Sequence, residues 1–176
     1  MVSTNVVIGI DPASTHMAFV AIHGNDFLVR VNKKLGKSGP EACHNAQVMT
    51  KEVIVECQEY FGEKNLVAFY ELPVLGRGGF RSTIVQCFTS GAVQATLYDF
   101  GIQTHTANVS SWKKAVVGRG NADKGQVAES LRLRWPALYT ASAGNQDAYD
   151  ASCIALFGRQ LLGQEMATPR IVSRSN

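Results

Sequence analysis

Val6-Val7-Ile8-Gly9-Ile10-Asp11-Pro12-Ala13-Ser14-Thr15 is the stretch from which the fold of this chain can be read. A short unbroken apolar run fits a strand buried on both faces, in the middle of a mixed sheet. Pro12 has no N–H to give to a ladder, so the strand is expected to end where Asp11 stands. That places a carboxylate at the tip of a central strand, the stiffest support a fold offers. Leu66-Val67-Ala68-Phe69-Tyr70 repeats the arrangement: an apolar run, an acid at Glu71, and a proline at Pro73. If the two strands are neighbours, Asp11 and Glu71 lie side by side at one edge of the sheet.

Between these runs, Met17 to Ile22 and Phe27 to Val31 read as strands, with Gly24-Asn25-Asp26 supplying hairpin chemistry. Glu41 to Phe61 carries apolar residues at helical spacing: Cys43, Ala46, Met49, Val53 and Cys57. Arg81 to Phe100 is helical and apolar round much of its circumference, so it requires cover on two sides. Ile102 to Thr106 reads as a strand and Val109 to Val117 as a short helix. A further helix is expected from a cap at Asn121 to about Arg134, closed by Pro136. The last helix runs from about Asn145 to Leu162. With no internal repeat and no linker, the economical architecture is a single α/β domain over residues 1–163, one mixed sheet flanked by helices, followed by a loose tail at 164–176.

Totals narrow the classes. At 176 residues, with 45% hydrophobic and 18% charged residues, the chain can bury a full core as one domain. No apolar run approaches the ~20 residues of a membrane span, and no basic-then-apolar leader is present, so a cytoplasmic protein without membrane contact is expected. Cys43, Cys57, Cys87 and Cys153 lack C-x-x-C spacing; packed, reduced thiols are expected rather than a zinc site. The net charge of +3 says little, but its placement says more. Arg30, Lys33, Lys34 and Lys37 cluster, as do Lys113, Lys114, Arg119 and Lys124. Such clusters would suit a polyanion, although from composition alone ordinary lysine scatter on a solvated surface is the preferred reading.

Asp147 and Asp150 stand three apart at the start of the last helix and so face one way. Acids there are also favoured by the helix dipole alone. The four carboxylates as a set suit a hard cation, which takes oxygen ligands and fills its remaining positions with water or phosphate. Two such ions can serve an in-line phosphoryl displacement.

Gly9-Ile10-Asp11-Pro12-Ala13-Ser14, Tyr70-Glu71, Lys113 to Val127 (with Gly118-Arg119-Gly120-Asn121-Ala122-Asp123-Lys124) and Asp147-Ala148-Tyr149-Asp150-Ala151 follow one another as in a known family. The chain resembles the RuvC-type Holliday junction resolvases of the RNase H-like superfamily from about Val6 to Phe157, and the long middle motif is the specific one. The resemblance implies an RNase H-like five-stranded mixed sheet with the first and fourth strands adjoining. It implies Asp11, Glu71, Asp147 and Asp150 as ligands of Mg²⁺, two ions with Mn²⁺ able to substitute, and Lys113 and Lys124 beside the scissile phosphate. It further implies a homodimer that cleaves branched DNA, with no nucleotide cofactor.

Contacts to DNA are expected from Arg77, Phe80, Lys33, Lys34, Lys114 and Arg119. The chain departs from the family at Ala13, usually glycine, and after Glu71. There Leu72-Pro73-Val74-Leu75 and a Gly-rich loop replace the segment that carries a junction-stacking aromatic, and Phe80 is the available substitute. Rival readings are a looser nuclease of the same fold acting on forks, flaps or RNA–DNA hybrids, half of an actin-like ATPase, and a non-catalytic junction binder.

Overall fold

The computed structural model describes residues 5–13, 15–32, 34–36, 39–73 and 79–164. Its sheet has five strands: β1 (Val6–Pro12), β2 (Met17–His23), β3 (Asp26–Asn32), β4 (Leu66–Glu71) and β5 (Gln103–Ala107). They lie in the order β3-β2-β1-β4-β5, so the first and fourth strands do adjoin. The β1–β2 and β2–β3 pairs are antiparallel, and β1–β4 and β4–β5 are parallel. The expected five-stranded mixed α/β sheet flanked by helices is therefore present.

Alternation along the central strands sorts the side chains into two layers. Ile8, Ile10, Ala68 and Tyr70 join the core under α1 (Gly39–Phe61) and α2 (Phe80–Asp99). Val7, Val67 and Phe69 join the opposite core, under α3 (Val109–Val117), α4 (Lys124–Arg134) and α6 (Gln146–Leu161). With a side-chain period of two, Asp11 and Glu71 belong to this second layer, on the side of α6.

Helix α6 is buried along most of its length, with Ala151, Cys153, Ile154, Ala155 and Leu156 fully inaccessible. It packs directly on β1 because Gly9 has no side chain. A Cβ there would collide with the backbone of Ala151 and Ala155, and one on Gly158 would strike the Phe69 ring. At the far end of the helix, Arg159 is nearly buried and donates from Nη1 to the Gly24 carbonyl at 2.7 Å. Gly24 takes φ 60°, the left-handed position that suits glycine in a tight hairpin turn.

The structure corrects several boundaries. β1 does not end at Asp11: Pro12 remains in the strand opposite Met17, at the ladder's end where a missing N–H costs least. The cap of α4 is Asp123, not Asn121; its carboxylate accepts from the Gln126 N–H while the Gln126 side chain returns to the Asp123 N–H, a reciprocal capping box. Pro136 does not merely close a helix. It opens a short α5 (Pro136–Ala141), using the position where its fixed φ and absent N–H fit. The thiols are all free, with Cys57 and Cys153 buried as expected, but Cys87 is exposed rather than packed. Among the described residues no helix is long and apolar enough to cross a membrane. The tail expected to be loose lies, beyond Gln164, outside the described residues.

Gly9→Ala tests the close approach. Overpacking against backbone cannot be relieved by a rotamer change, so a loss of about 3 kcal/mol or more is expected in denaturant unfolding, against about 1–2 kcal/mol for Gly62→Ala, where the space is open and only the positive φ opposes a side chain. An unchanged midpoint for Gly9→Ala would mean that α6 does not sit where described.

Candidate active site

Three elements bring four carboxylates together. The parallel register pairs Ile10 with Tyr70, which sets Asp11 and Glu71 beside each other one residue further on. The N-terminus of α6 arrives over them, capped by Asn145, whose side chain accepts from the Ala148 N–H. Asp147 lies in its first turn and Asp150 three residues on, one turn along the same face.

Electrostatics confirm the proximity. Burial first, then the charges of Asp150, Glu71 and Asp147, hold the Asp11 carboxyl well above the usual carboxylate range, against an opposing pull from Lys124. Asp150 is raised from 3.8 to about 6, again chiefly by burial. A hydrogen bond from Gln146 at 3.0 Å and the charge of Lys113 act against that rise, while Glu71 and Asp147 add to it. All four expected acids thus form one mutually repelling group.

The two lysines expected beside it are there as well, brought in by a single connection. Lys113 stands midway along α3, its Nζ donating to the Ala122 carbonyl at 2.7 Å. Gly118 caps α3 in the left-handed conformation, φ 94°, and the chain turns back so that Lys124 opens α4. Asp123, as the cap of α4, offsets the unfavourable setting of a cation in a first helical turn.

Trp112 is a residue of this site that sequence reasoning passed over. It is fully buried, and its Nε1–H donates to Glu71 Oε2 at 2.9 Å. Its ring lies 5.5 Å, centroid to Nζ, from Lys113. The available signal was chemical: a buried indole needs an acceptor for its N–H.

The expected DNA-contacting residues are not gathered in this cluster. Lys34, Lys114 and Arg119 are exposed on the surface, and Lys33 and Arg77 lie outside the described residues. Phe80, at 84% exposure, begins α2 in open solvent, so it is not a hydrophobic anchor beneath that helix.

The donor set is one of hard oxygens with too few cations to balance it, which fits a divalent ion such as Mg²⁺. Among the described residues, no group of three or more His, Cys, Asp or Glu side chains is drawn close enough to hold a metal ion.

The raised carboxyls have a consequence for the metal-free protein. Between pH 3.8 and about 6 the folded chain binds more protons at Asp150 than the unfolded chain does. Stability is therefore greatest below that window and falls as pH rises through it. Asp150→Asn is expected to flatten this slope and raise metal-free stability at pH 7 by roughly 1–3 kcal/mol, the lower end allowing for screening at a partly exposed side chain. Urea unfolding at several pH values in chelator checks it; a variant less stable than the parent at pH 7 would contradict the raised Asp150 carboxyl.

No protein-family model matches the chain, and no curated protein matches it in sequence. Solved structures do. The RuvC of Thermus thermophilus in complex with a Holliday junction substrate superposes with a TM-score of 0.68 at 21% identity, covering 87% of this chain and 92% of that one. A second Thermus thermophilus RuvC structure gives 0.66 at 22% identity, covering 94% and 99%. The yeast mitochondrial Holliday junction resolvase gives 0.54 at 13% identity, covering 86% and 76%. The strand order, the helices packed against both faces of the sheet and these superpositions together show that the chain has the RuvC-type, RNase H-like fold.

Proposed function

We propose that this protein is a metal-dependent, structure-selective endonuclease that resolves four-way DNA junctions by paired phosphodiester hydrolysis. The observation that carries the reading is the convergence of Asp11, Glu71, Asp147 and Asp150 from β1, β4 and α6, with Lys113 and Lys124 beside them, on a fold shared with junction resolvases. Mg²⁺, as two ions with Mn²⁺ able to substitute, would supply charge neutralisation at the phosphate and acidify a water nucleophile. The four carboxylates would hold and orient those ions. Lys124, at the mouth of the cluster, would stabilise the charge that develops on the phosphate oxygens. Lys113, tethered to Ala122, would hold Asp150 in its ionised form. Exposed Lys34, Lys114 and Arg119, with Lys33 and Arg77, would make salt-dependent backbone contacts, and Phe80 would stack on an unpaired base at the branch.

The same reading calls for a homodimer, because two symmetric cuts require two sites related by a two-fold axis. The proposed contact is the outer face of α2. Ile84, Phe88 and Tyr98 are exposed there, Gly91 and Ala95 lie between them at helical spacing, and no charged side chain occurs from Ser82 to Tyr98. A Cβ on Gly91 would meet nothing, so a second helix has room to approach closely. An uncharged, partly aromatic stripe on a water-facing helix is the composition of an interface rather than a solvated surface.

Two experiments test the proposal. A synthetic four-way junction with Mg²⁺ is expected to yield paired, symmetry-related nicks that chelator abolishes. Asp11→Asn, Glu71→Gln and Asp150→Asn are expected to lower the rate at least 10²-fold while leaving junction binding intact or tighter, since removing a carboxylate also removes repulsion toward phosphate. Wild-type cleavage by Asp150→Asn would overturn the four-acid assignment, and equal rates on forks or RNA–DNA hybrids would favour the looser nuclease.

For the dimer, light scattering is expected to give twice the chain mass, and Phe88→Glu or Gly91→Glu to give monomers. If α2 faced only solvent, Gly91→Ala would instead stabilise the protein by up to about 1 kcal/mol through helix propensity, with no change in mass.

A further inference from the structure

We propose that Trp112 is a positioning residue for Glu71: its indole N–H fixes the carboxylate for metal without neutralising it. The inference rests on the reading of the four acids as metal ligands. The Nε1–H donates to Oε2 at 2.9 Å, and the indole is wholly buried. The last torsion of a glutamate side chain is broad and roughly two-fold, so an unheld carboxylate at a strand end samples many rotations. A donor on one oxygen removes that freedom and leaves lone pairs on both oxygens for other partners.

The identity of the donor matters. A lysine or arginine in this place would also orient Glu71, but its charge would compete with a bound cation. The indole is neutral at every accessible pH and can only donate. It is also immobile, since it packs in the same core as Ala107, Val116, Val127 and Leu131. Outer partners of this kind hold metal ligands in register in many sites, and their loss commonly weakens metal affinity 10–100-fold. Lys113 sits over the ring of the same side chain, so Trp112 bears on both the acidic and the basic parts of the site.

The decisive variant replaces Trp112 by 3-benzothienylalanine, which keeps the bicyclic shape and the ring face under Lys113 but has sulfur in place of N–H. Mg²⁺ alone is titrated calorimetrically into the full chain, alongside Asp11→Asn. Saturable binding by the parent that Asp11→Asn loses upholds the carboxylate reading; no saturable binding by the parent overturns that reading and this inference with it. Given parental binding, the isostere is expected to keep the metal-free melting temperature and to bind Mg²⁺ about tenfold more weakly. An isostere with the parental binding midpoint overturns the positioning role alone, and so does one that melts lower yet binds equally well.

Tryptophan emission gives an independent readout. Mg²⁺ is expected to change the emission of the parent, and Trp112→Phe, which retains Trp135, is expected to lose that change. A response that survives in Trp112→Phe arises elsewhere and overturns the proposal.

Discussion

The contact on which the rest of this molecule depends is the one between β1 and α6 over Gly9. No side chain separates the strand from the helix there, and the backbone of Ala151 and Ala155 occupies the space a Cβ would need. Because the helix lies this close, its first turn reaches the end of the strand. Asp147 and Asp150 then meet Asp11 and Glu71 rather than facing water. A helix held one side chain further out could keep the same sheet, but its acids would stand further from their partners and the core beneath it would loosen. The single missing methyl group therefore acts on the chemistry as well as on the packing.

That proximity is costly. Four carboxylates of one sign are gathered where burial already disfavours charge, and the raised carboxyls of Asp11 and Asp150 record the strain. The compensation comes from two lysines, a Gln146 amide and the Trp112 indole, placed by α3, α4 and α6. These devices all lie on one side of the sheet. The other side carries none of them: α1 and α2 cover it with aliphatic and aromatic packing, and α2 turns an uncharged stripe outward. The polar chemistry thus lies on one layer, and the face proposed for dimer contact on the other.

Much of this was legible in sequence because it rests on short-range rules. The runs ending at Asp11 and Glu71 declared two central strands, and the i, i+3 spacing of Asp147 and Asp150 declared a shared helical face. The features that escaped reading depend on partners distant in the chain. The cap of α4 is the exception: Asp123 and Gln126, three residues apart, form a local capping-box pattern that the choice of Asn121 passed over. Pro136 signals a stop and a start with the same ring, and only the packing of Leu138 into the core makes the second helix worthwhile. The role of Trp112 is the clearest case, since Glu71 is its acceptor and the two are joined only by the pairing of remote elements.

The hairpin between β2 and β3 carries an implication of another kind. A tight turn at the end of a sheet is ordinarily a permissive place for an epitope, a fluorescent label or an inserted domain. In this chain the turn's Gly24 carbonyl receives the guanidinium of Arg159, so the loop doubles as the rear mooring of α6. Residues added there would withdraw an acceptor from a nearly buried cation and slacken the far end of the very helix that carries Asp147 and Asp150. Engineers seeking a silent attachment point are better served by the exposed Gly62-Glu63-Lys64 connection, which no element of the acidic site leans on.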